Sequence, residues 1–274
     1  MAFQLGFGAT LADDFAGDAG DTYETADVAV ESHRRTVIAF VGLAFEARIA
    51  EGPGVLVVCR TAGNTLANVA ETAARQGYRG MISFGVAGGL APHLRAGDWV
   101  VASAIRESQT VRSTDARWSR KLLGLIDGAV HAPIVGVDSP LAEPASKREL
   151  HRATGAVAVD MESHTVARVA AAHRLAFAAL RVIVDPAHRE VPPAALLSMR
   201  PDGRADTIGV LRDIAARPHQ VLPLARIALD ALTARAEMAR VRQLLGPHFG
   251  MHDAEALETS PFEARGLAPS TSLT

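Results

Sequence analysis

The stretch Ala158-Val159-Asp160-Met161-Glu162-Ser163 decides more about this 274-residue chain than any other. A short apolar run ends in two acidic residues, and a segment with helical periodicity, residues 163–174, follows directly. This order predicts a buried strand that opens into a helix, with Glu162 at the first turn, where the helix dipole favours a negative charge. A buried carboxylate is costly unless it is hydrogen-bonded or takes part in chemistry, so the segment also marks a candidate functional site.

A second stretch, Ala179-Leu180-Arg181-Val182-Ile183-Val184-Asp185, repeats the pattern further along the chain and ends directly before Pro186. Two carboxyl groups in unlike surroundings can divide into a charged partner and a proton donor. Each acid also has a simpler explanation. Glu162 could be a solvated first-turn residue, and Asp185 could start a turn or cap a helix.

Outward from these stretches, short apolar runs alternate with helix-period segments. The alternation predicts a single α/β domain whose twisted, mixed and mostly parallel sheet is flanked by helices. The predicted strands are residues 36–41, 55–59, 80–84, 98–104, 134–137, 157–159 and 177–184. The predicted helices are residues 65–76, capped by Asn64, and residues 163–174, 207–216 and 221–245.

The two ends of the chain differ from this middle part. Residues 1–35 carry acids among Gly and Ala without a clear period, and residues 247–274 are rich in Ser, Thr, Pro and Gly. These compositions predict a mobile acidic tail, a domain over residues 36–246 and a flexible C-terminal tail.

Composition excludes several classes of function. A net charge of −2 and a pI near 6.6 argue against nucleic acid as a partner and favour a small molecule. The single cysteine, Cys59, sits in an apolar run that predicts a buried, inert thiol. No apolar stretch approaches the roughly 20 residues that span a bilayer, and no secretory signal is evident, so we predict a cytoplasmic protein. The ten histidines lack metal-ligand spacing, so no metal site is predicted.

Two further features could contribute to a site. Residues 80–90 run from a predicted strand into a glycine turn, where the backbone N–H groups of Gly85, Val86, Ala87 and Gly88 could hold ligand oxygens. A plain turn explains the same glycines. Glu46 follows the first predicted strand, at the edge where parallel sheets place ligands, so three carboxylates are expected at one end of the sheet.

These motifs resemble those of the purine nucleoside phosphorylase and methylthioadenosine/adenosylhomocysteine nucleosidase superfamily, over roughly residues 36–246. The matching segments are Phe84-Gly85-Val86-Ala87-Gly88-Gly89-Leu90, Val159-Asp160-Met161-Glu162-Ser163 and Arg181-Val182-Ile183-Val184-Asp185. Within that superfamily the chain most closely resembles the hopanoid-associated phosphorylases. That resemblance includes Pro192-Pro193-Ala194-Ala195-Leu196 and Met199-Arg200-Pro201-Asp202-Gly203-Arg204.

The resemblance implies a role for each acid. Asp185 would protonate purine N7, which makes adenine a neutral leaving group, while apolar neighbours raise its pKa. Glu162 would grip the ribose 2′- and 3′-hydroxyls, with Met161 packed under the sugar. Glu46 would take a proton from an attacking water beside Arg181.

Departures from the superfamily pattern leave the nucleophile open. Ser83 and Val86 stand where its phosphorylases carry an Arg and a Ser that hold phosphate. Water is therefore favoured, while inorganic phosphate at a relocated site stays open as a co-substrate. No other cofactor is expected. The aromatic residue that stacks on adenine in the nucleosidases is not evident within residues 137–141.

The resemblance further implies that the substrate is adenosylhopane, a lipid nucleoside, and that the product is a ribosyl or phosphoribosyl hopane. Arginines across residues 204–242 could then make peripheral contact with the inner face of the membrane, although a solvated helical face is the simpler explanation of them. A homo-oligomer is expected. Alternatives are a methylthioadenosine/adenosylhomocysteine nucleosidase, another purine nucleoside phosphorylase, or a non-catalytic nucleoside sensor.

Overall fold

The structure, a computed structural model, describes residues 36–59, 66–191 and 221–251. The two predicted tails lie almost entirely outside these ranges. Asn64, the predicted helix over residues 207–216 and the segments 192–196 and 199–204 lie outside them as well.

Eight strands and six α-helices make up the described part of the chain. The strands are β1 (Val37–Val41), β2 (Val55–Cys59), β3 (Gly80–Gly89), β4 (Trp99–Glu107), β5 (Thr110–Ser113), β6 (Val130–Gly136), β7 (Ala158–Asp160) and β8 (Ala176–Asp185). The helices are α1 (Ala44–Ala50), α2 (Leu66–Arg75), α3 (Ala116–Leu125), α4 (Pro144–Thr154), α5 (Ser163–Ala172) and α6 (Val221–Leu245). A 3-10 turn over Pro247–Gly250 follows α6.

All eight strands belong to one sheet with the order β2-β1-β3-β7-β6-β4-β5, and β8 pairs with both β3 and β4. Five of the pairings are parallel and three are antiparallel, which confirms the mixed, mostly parallel sheet. Because β8 joins β3 to β4, the strands β3, β7, β6, β4 and β8 form a closed cycle of pairings. This cycle brings the ends of β3, β7 and β8 together.

Helices cover the sheet on two sides. Along β1 every residue is buried, and the side chains alternate between two apolar clusters. Ile38 and Phe40 belong to the cluster that contains residues of α2 and α5, whereas Val37 belongs to the cluster with Trp118 of α3 and Met238 of α6. The continuous apolar runs of β1 and β8 are therefore explained by burial on both faces.

The predicted glycine turn after Phe84 is wrong, because β3 continues as a strand to Gly89. Its pairing with β8 extends from Gly80↔Ala176 to Gly88↔Asp185, with a register shift after Ala87. Pairing with β8, joined by pairing with β7 at Gly88 and Gly89, holds the glycines in extended structure. The same register places Asp185 beside the end of β3.

Several short elements were not predicted. They are β5, which is largely exposed, and the helices α1, α3 and α4. α3 is capped by Asp115, which accepts hydrogen bonds from the N–H groups of Arg117 and Trp118. α4 begins at Pro144 and ends before Gly155, whose φ of 67° is the left-handed conformation that glycine favours at a helix end.

The last helix has the predicted bounds, 221–245, but its arginines do not all face solvent. Arg242 is buried and donates hydrogen bonds to the carbonyls of Ala50 and Gly246. Over residues 247–251 the chain stays packed, since Phe249 is fully buried and its carbonyl accepts a hydrogen bond from the Trp118 indole at 2.8 Å. No helix within the described ranges is long and apolar enough to cross a membrane.

Candidate active site

The outer half of β3, from Gly85 to Gly89, is the centre of the candidate site. At Gly88 it pairs with Asp185 of β8 on one side and with Val159 of β7 on the other. A side chain at position 88 would begin 3.2 Å from Asp185 Oδ2 and 3.1 Å from Val159 Cγ1. Glycine at this position therefore lets the Asp185 carboxyl lie directly over the backbone of β3.

Asp185 is held by a lysine that sequence analysis did not single out. The Lys147 ammonium, from α4, lies 2.6 Å from Asp185 Oδ2, and the Lys147 side chain is fully buried. Asp185 itself is 15 % exposed at its side chain. Oδ2 accepts this hydrogen bond from Lys147, whereas no side chain among the described residues donates to the second oxygen, Oδ1.

Burial raises the pKa of Asp185 above its usual range, as the sequence predicted, and the nearby Lys147 opposes the shift. Asp230 of α6 adds a smaller effect in the raising direction. A carboxyl in these surroundings holds a proton more readily than one in water, which suits a proton donor.

Arg181 is the centre of a second, denser group, which we call the Arg181 cluster: Arg181, Asp160, Glu162, Glu46, Ser83 and Ser163. The Arg181 guanidinium pairs with Asp160, donates to Ser83 Oγ at 2.5 Å and to Ser163 Oγ at 3.2 Å, and lies 3.5 Å from Glu162 Oε2. Although burial lowers the pKa of Arg181, the three carboxyl groups around it raise it, so the guanidinium stays charged.

The carboxylate of Glu46, another of the predicted acids, is held by hydrogen bonds from backbone N–H groups. Glu46 is the third residue of α1. Its Oε2 accepts hydrogen bonds from the N–H groups of Gly42 and Leu43, which precede the helix, each at 2.8 Å. Its Oε1 accepts the N–H of Val86 at 2.8 Å. The residue is only 1 % exposed, and burial raises its pKa despite Arg181 and the three N–H groups. Glu46 is therefore a buried first-turn residue.

Two glycines make the close approach of these acids possible. A side chain at Gly42 would begin 2.8 Å from Glu162 Oε1. One at Gly85 would begin 2.5 Å from Glu46 Oε1 and 2.7 Å from Arg181 Nη1, and the φ of 153° at Gly85 also disfavours other residues. The glycines that suggested a turn thus create space beside carboxylates.

The structure brings Glu46, Glu162 and Arg181 into one cluster and places Asp185 along the same half-strand. Of the four backbone positions expected to bind substrate, Val86 has its N–H engaged by Glu46. Met161 follows β7 and is partly exposed. Cys59 is half-buried rather than buried, and burial raises the pKa of its thiol to about 11, so the thiol is inert.

Sequence reasoning missed four residues of the site, which are Ser83, Lys147, Asp160 and Ser163 in their present roles. An acid directly before Met161 in an apolar strand was a usable indication for Asp160. Lys147 gave no such indication, because it is surrounded in sequence by Ser146, Arg148 and Glu149 and resembles a solvated helical face.

No set of three or more His, Cys, Asp and Glu residues in the described part of the chain is placed to hold a metal ion. His164 pairs with the exposed Asp138 at 3.2 Å, and His173 with Glu71 at 2.7 Å. Both histidines have protein partners of their own.

Comparison with known proteins assigns the family. A model of the phosphorylase superfamily matches residues 7–216, which is more than half of the 274 residues. The chain belongs to the phosphorylase superfamily. It is therefore an enzyme of that superfamily, which confirms the family resemblance. A comparison with curated proteins finds no match.

Solved structures with this superfamily member's fold include several bacterial nucleosidases. The 5′-methylthioadenosine/S-adenosylhomocysteine nucleosidase of Neisseria meningitidis, in complex with methylthio-immucillin-A, is 16 % identical with a TM-score of 0.55, covering 77 % of this chain and 98 % of that one. A mutant Helicobacter pylori enzyme with 5′-methylthioadenosine in the active site is 14 % identical with a TM-score of 0.52, covering 76 % and 98 %. The Campylobacter jejuni nucleosidase is 14 % identical with a TM-score of 0.51, covering 75 % and 99 %. At these identities the likeness establishes the fold.

Proposed function

We propose that this enzyme cleaves the N-glycosidic bond of a 5′-substituted adenosine and releases adenine. One observation carries the proposal. The Arg181 cluster contacts β3 at Gly85 and the Asp185 carboxyl contacts it at Gly88, three residues or roughly 10 Å further along the strand. This spacing allows the sugar to lie at one group of acids while the base lies at the other.

At the base, Asp185 acts as the general acid. Its Oδ1 carries the proton and gives it to purine N7 while the electron pair of the glycosidic bond passes to the base, so adenine leaves as a neutral molecule. The burial that raises the pKa of this carboxyl supports the assignment.

At the sugar, Glu162 accepts hydrogen bonds from the 2′- and 3′-hydroxyls. The negative charge of the surrounding carboxyl groups favours the transition state. The Arg181 cluster contains three carboxyl groups and one guanidinium. As the bond to the base opens, positive charge develops on the sugar ring, and an excess of carboxylate stabilises it.

We infer that water, rather than phosphate, attacks the sugar. Among the described residues the two cations of the site, Arg181 and Lys147, are buried and hydrogen-bonded to protein oxygens. Glu46 takes one proton from the water as its oxygen joins the anomeric carbon. A raised pKa makes Glu46 a stronger base for this step. The other proton of the water stays on the new anomeric hydroxyl. The proton on Glu46 then passes to solvent and solvent returns one to Asp185, which restores both groups.

The proposed substrate is adenosylhopane, with ribosyl hopane as the product. This finer assignment rests on the resemblance of the motifs to the hopanoid-associated phosphorylases. The main alternative is a methylthioadenosine/adenosylhomocysteine nucleosidase, which the solved structures of that class favour. A nucleoside sensor is the remaining alternative, and the buried general-acid geometry at Asp185 argues against it.

Chromatography of the products, with and without inorganic phosphate, tests the proposal. We expect adenine and a free ribosyl product from adenosylhopane in both buffers, with a higher kcat/KM than for methylthioadenosine. A phosphorylated sugar product would instead show that phosphate, and not water, is the nucleophile. Preference for methylthioadenosine would favour the alternative enzyme. Ligand binding without adenine release, in the wild type as in Asp185→Asn, would favour the sensor.

We also propose a homo-oligomer that contacts the membrane surface through α6. This helix exposes Leu229 and Leu232, at 63 % and 62 %, together with the arginines at 226, 235 and 240. Apolar and basic side chains on one helix suit an anionic lipid surface. Salt-dependent binding to anionic liposomes is the expected result. Sedimentation as a monomer would contradict the homo-oligomer, and absence of liposome binding would contradict the membrane contact.

A further inference from the structure

The ammonium of Lys147 lies among four oxygens from one short segment of chain, residues 185–189. They are Asp185 Oδ2 at 2.6 Å and the carbonyl oxygens of Asp185, Pro186 and Arg189 at 3.3, 3.3 and 3.0 Å. The Lys147 side chain is fully buried. Burying a charge is costly unless it is paired and hydrogen-bonded, so the segment after β8 folds around this ammonium.

The two oxygens of the Asp185 carboxyl are thereby made unequal. Oδ2 is fixed by a short, charge-assisted contact with Lys147, whereas Oδ1 accepts from no side chain among the described residues. Both oxygens lie close to Gly88, at 3.2 and 3.3 Å from the point where a side chain would begin. One oxygen is held by the protein, and the other is available to a ligand.

We propose that Lys147 is the positioning residue for Asp185: it orients the carboxyl through Oδ2 and stabilises the carboxylate that forms when Oδ1 gives its proton to the leaving base. The inference rests on the proposed function. During the step the O–H bond at Oδ1 breaks and an N–H bond forms at the base. The negative charge left on Asp185 then faces an ammonium at 2.6 Å.

Other charged groups near Asp185 do not replace this contact. Asp230 faces it from α6 and raises its pKa. Arg189, on the segment that follows β8, pairs with Asp230 at 2.9 Å. Burial and Asp230 thus favour the protonated acid, while Lys147 favours the carboxylate. Opposing effects of this kind keep an acid able both to hold a proton and to release it.

The pH profile of kcat for Lys147→Met and Lys147→Arg tests the proposal. Because Asp185 must be protonated, activity falls as pH rises through its pKa. Removal of a neighbouring positive charge raises that pKa, so in Lys147→Met the alkaline limb should move up by about 1–3 pH units. The maximal kcat should fall about 10-fold or more, since the remaining acid gives up its proton less readily. Lys147→Arg should keep the limb near its wild-type position.

A substrate that needs no proton separates catalysis from structure. In a 5′-matched p-nitrophenyl riboside the leaving group departs as a stable anion. We expect Lys147→Met to retain most of the wild-type rate on this riboside and to lose rate on the adenine nucleoside. Equal losses on both substrates, or an unmoved alkaline limb, would overturn the role of Lys147.

Asp185→Asn distinguishes this failure from failure of the proposed function. If that variant loses adenine release while Lys147→Met behaves like the wild type, the function stands and the role of Lys147 does not. If the wild type releases no adenine from any adenosine derivative, the function itself fails. Should Lys147→Met not yield folded protein, Lys147→Gln removes the charge while keeping N–H donors, and the same limb shift is expected.

Discussion

The Arg181 cluster and the Lys147–Asp185 pair solve the problem of a buried charge in two ways. Around Arg181, three carboxyl groups and two serine hydroxyls share one guanidinium, and its side chain is 1 % exposed. At the pair, one carboxyl group meets one ammonium, and the remaining ammonium contacts are neutral carbonyls.

This difference assigns two tasks to the two regions: the Arg181 cluster stabilises charge on the sugar, and the Lys147–Asp185 pair transfers a proton to the base. The Arg181 cluster is buried and rich in negative charge, which suits binding of a sugar that becomes positive. The pair leaves one carboxyl oxygen without a side-chain donor among the described residues, which suits exchange of a proton with a ligand. A guanidinium fits the first task because it binds several acceptors and stays charged, whereas an ammonium suits the second as a compact point charge.

The largest expected effect is on the side of the Arg181 cluster. Arg181→Met leaves three buried carboxyl groups without their cation, so we expect a loss of about 3–5 kcal/mol in the free energy of unfolding. Urea unfolding measures it. Arg240→Ala, which removes an exposed ion pair with Glu237, is the control and should leave the unfolding midpoint unchanged. A loss below about 1 kcal/mol would contradict a structural role for Arg181.

Glu46→Gln tests whether the two regions act on different steps. Because Glu46 is assigned to the water, its loss should lower kcat by about 10²-fold or more on the adenine nucleoside and on the p-nitrophenyl riboside alike. Asp185→Asn should lower kcat on the nucleoside alone. Steady-state rates on both substrates measure the contrast. Identical responses of the two variants would remove the proposed division of labour.

Single methyl groups at Gly85 and Gly88 probe how tightly each region is packed. A methyl at position 85 meets Glu46 and Arg181 at 2.5 and 2.7 Å, whereas one at position 88 meets its neighbours at 3.1–3.3 Å. Gly85→Ala should therefore cost about 1–3 kcal/mol of stability, and Gly88→Ala less.

Thermal unfolding measures both glycine variants. The control is Gly124→Ala in α3, where a methyl meets nothing within 4 Å, and it should stabilise the helix by about 0.5–1 kcal/mol. A larger loss at Gly88 than at Gly85 would reverse the comparison of the two regions.

The smallest expected effect is on the pH dependence of stability. The pKa of Asp185 is raised from its usual 3.8, so the folded protein binds more protons than the unfolded chain. The stability from this group is fully present below pH 3.8 and is lost as pH rises through the raised pKa. Asp185→Asn should flatten this decline in urea unfolding at a series of pH values, with the exposed Glu51→Gln as the control. A difference from the wild type that stays constant with pH would contradict the raised pKa.

Much of the fold could be predicted from apolar periodicity. Short apolar runs predict β1, β2 and β8, and the bounds of α6 agree with the predicted 221–245 although few of its residues are buried. The end of β3 could not be predicted, because glycines favour a turn locally, and it is the pairing with β8 and, at Gly88 and Gly89, with β7 that keeps residues 85–89 extended. That pairing is not a property of the segment itself.

The site was predictable where an acid interrupts an apolar run, as at Glu162 and Asp185. Lys147 was not predictable, since a lysine among Ser146, Arg148 and Glu149 is usually solvated. Its burial is decided by the segment at residues 185–189, which is distant in sequence and wraps around the ammonium. Local patterns identify groups that carry charge, but not the partners that surround them.

Arg242 connects the C-terminal helix α6 to the helix that contains Glu46, the proposed general base for the attacking water. Its guanidinium bonds the carbonyl of Ala50, the last residue of the helix whose first turn contains Glu46. The C-terminal helix therefore acts as a brace for a short helix of seven residues. A C-terminal truncation that removes Arg242 would therefore loosen the carboxylate of Glu46. The two residues are roughly two hundred positions apart in sequence.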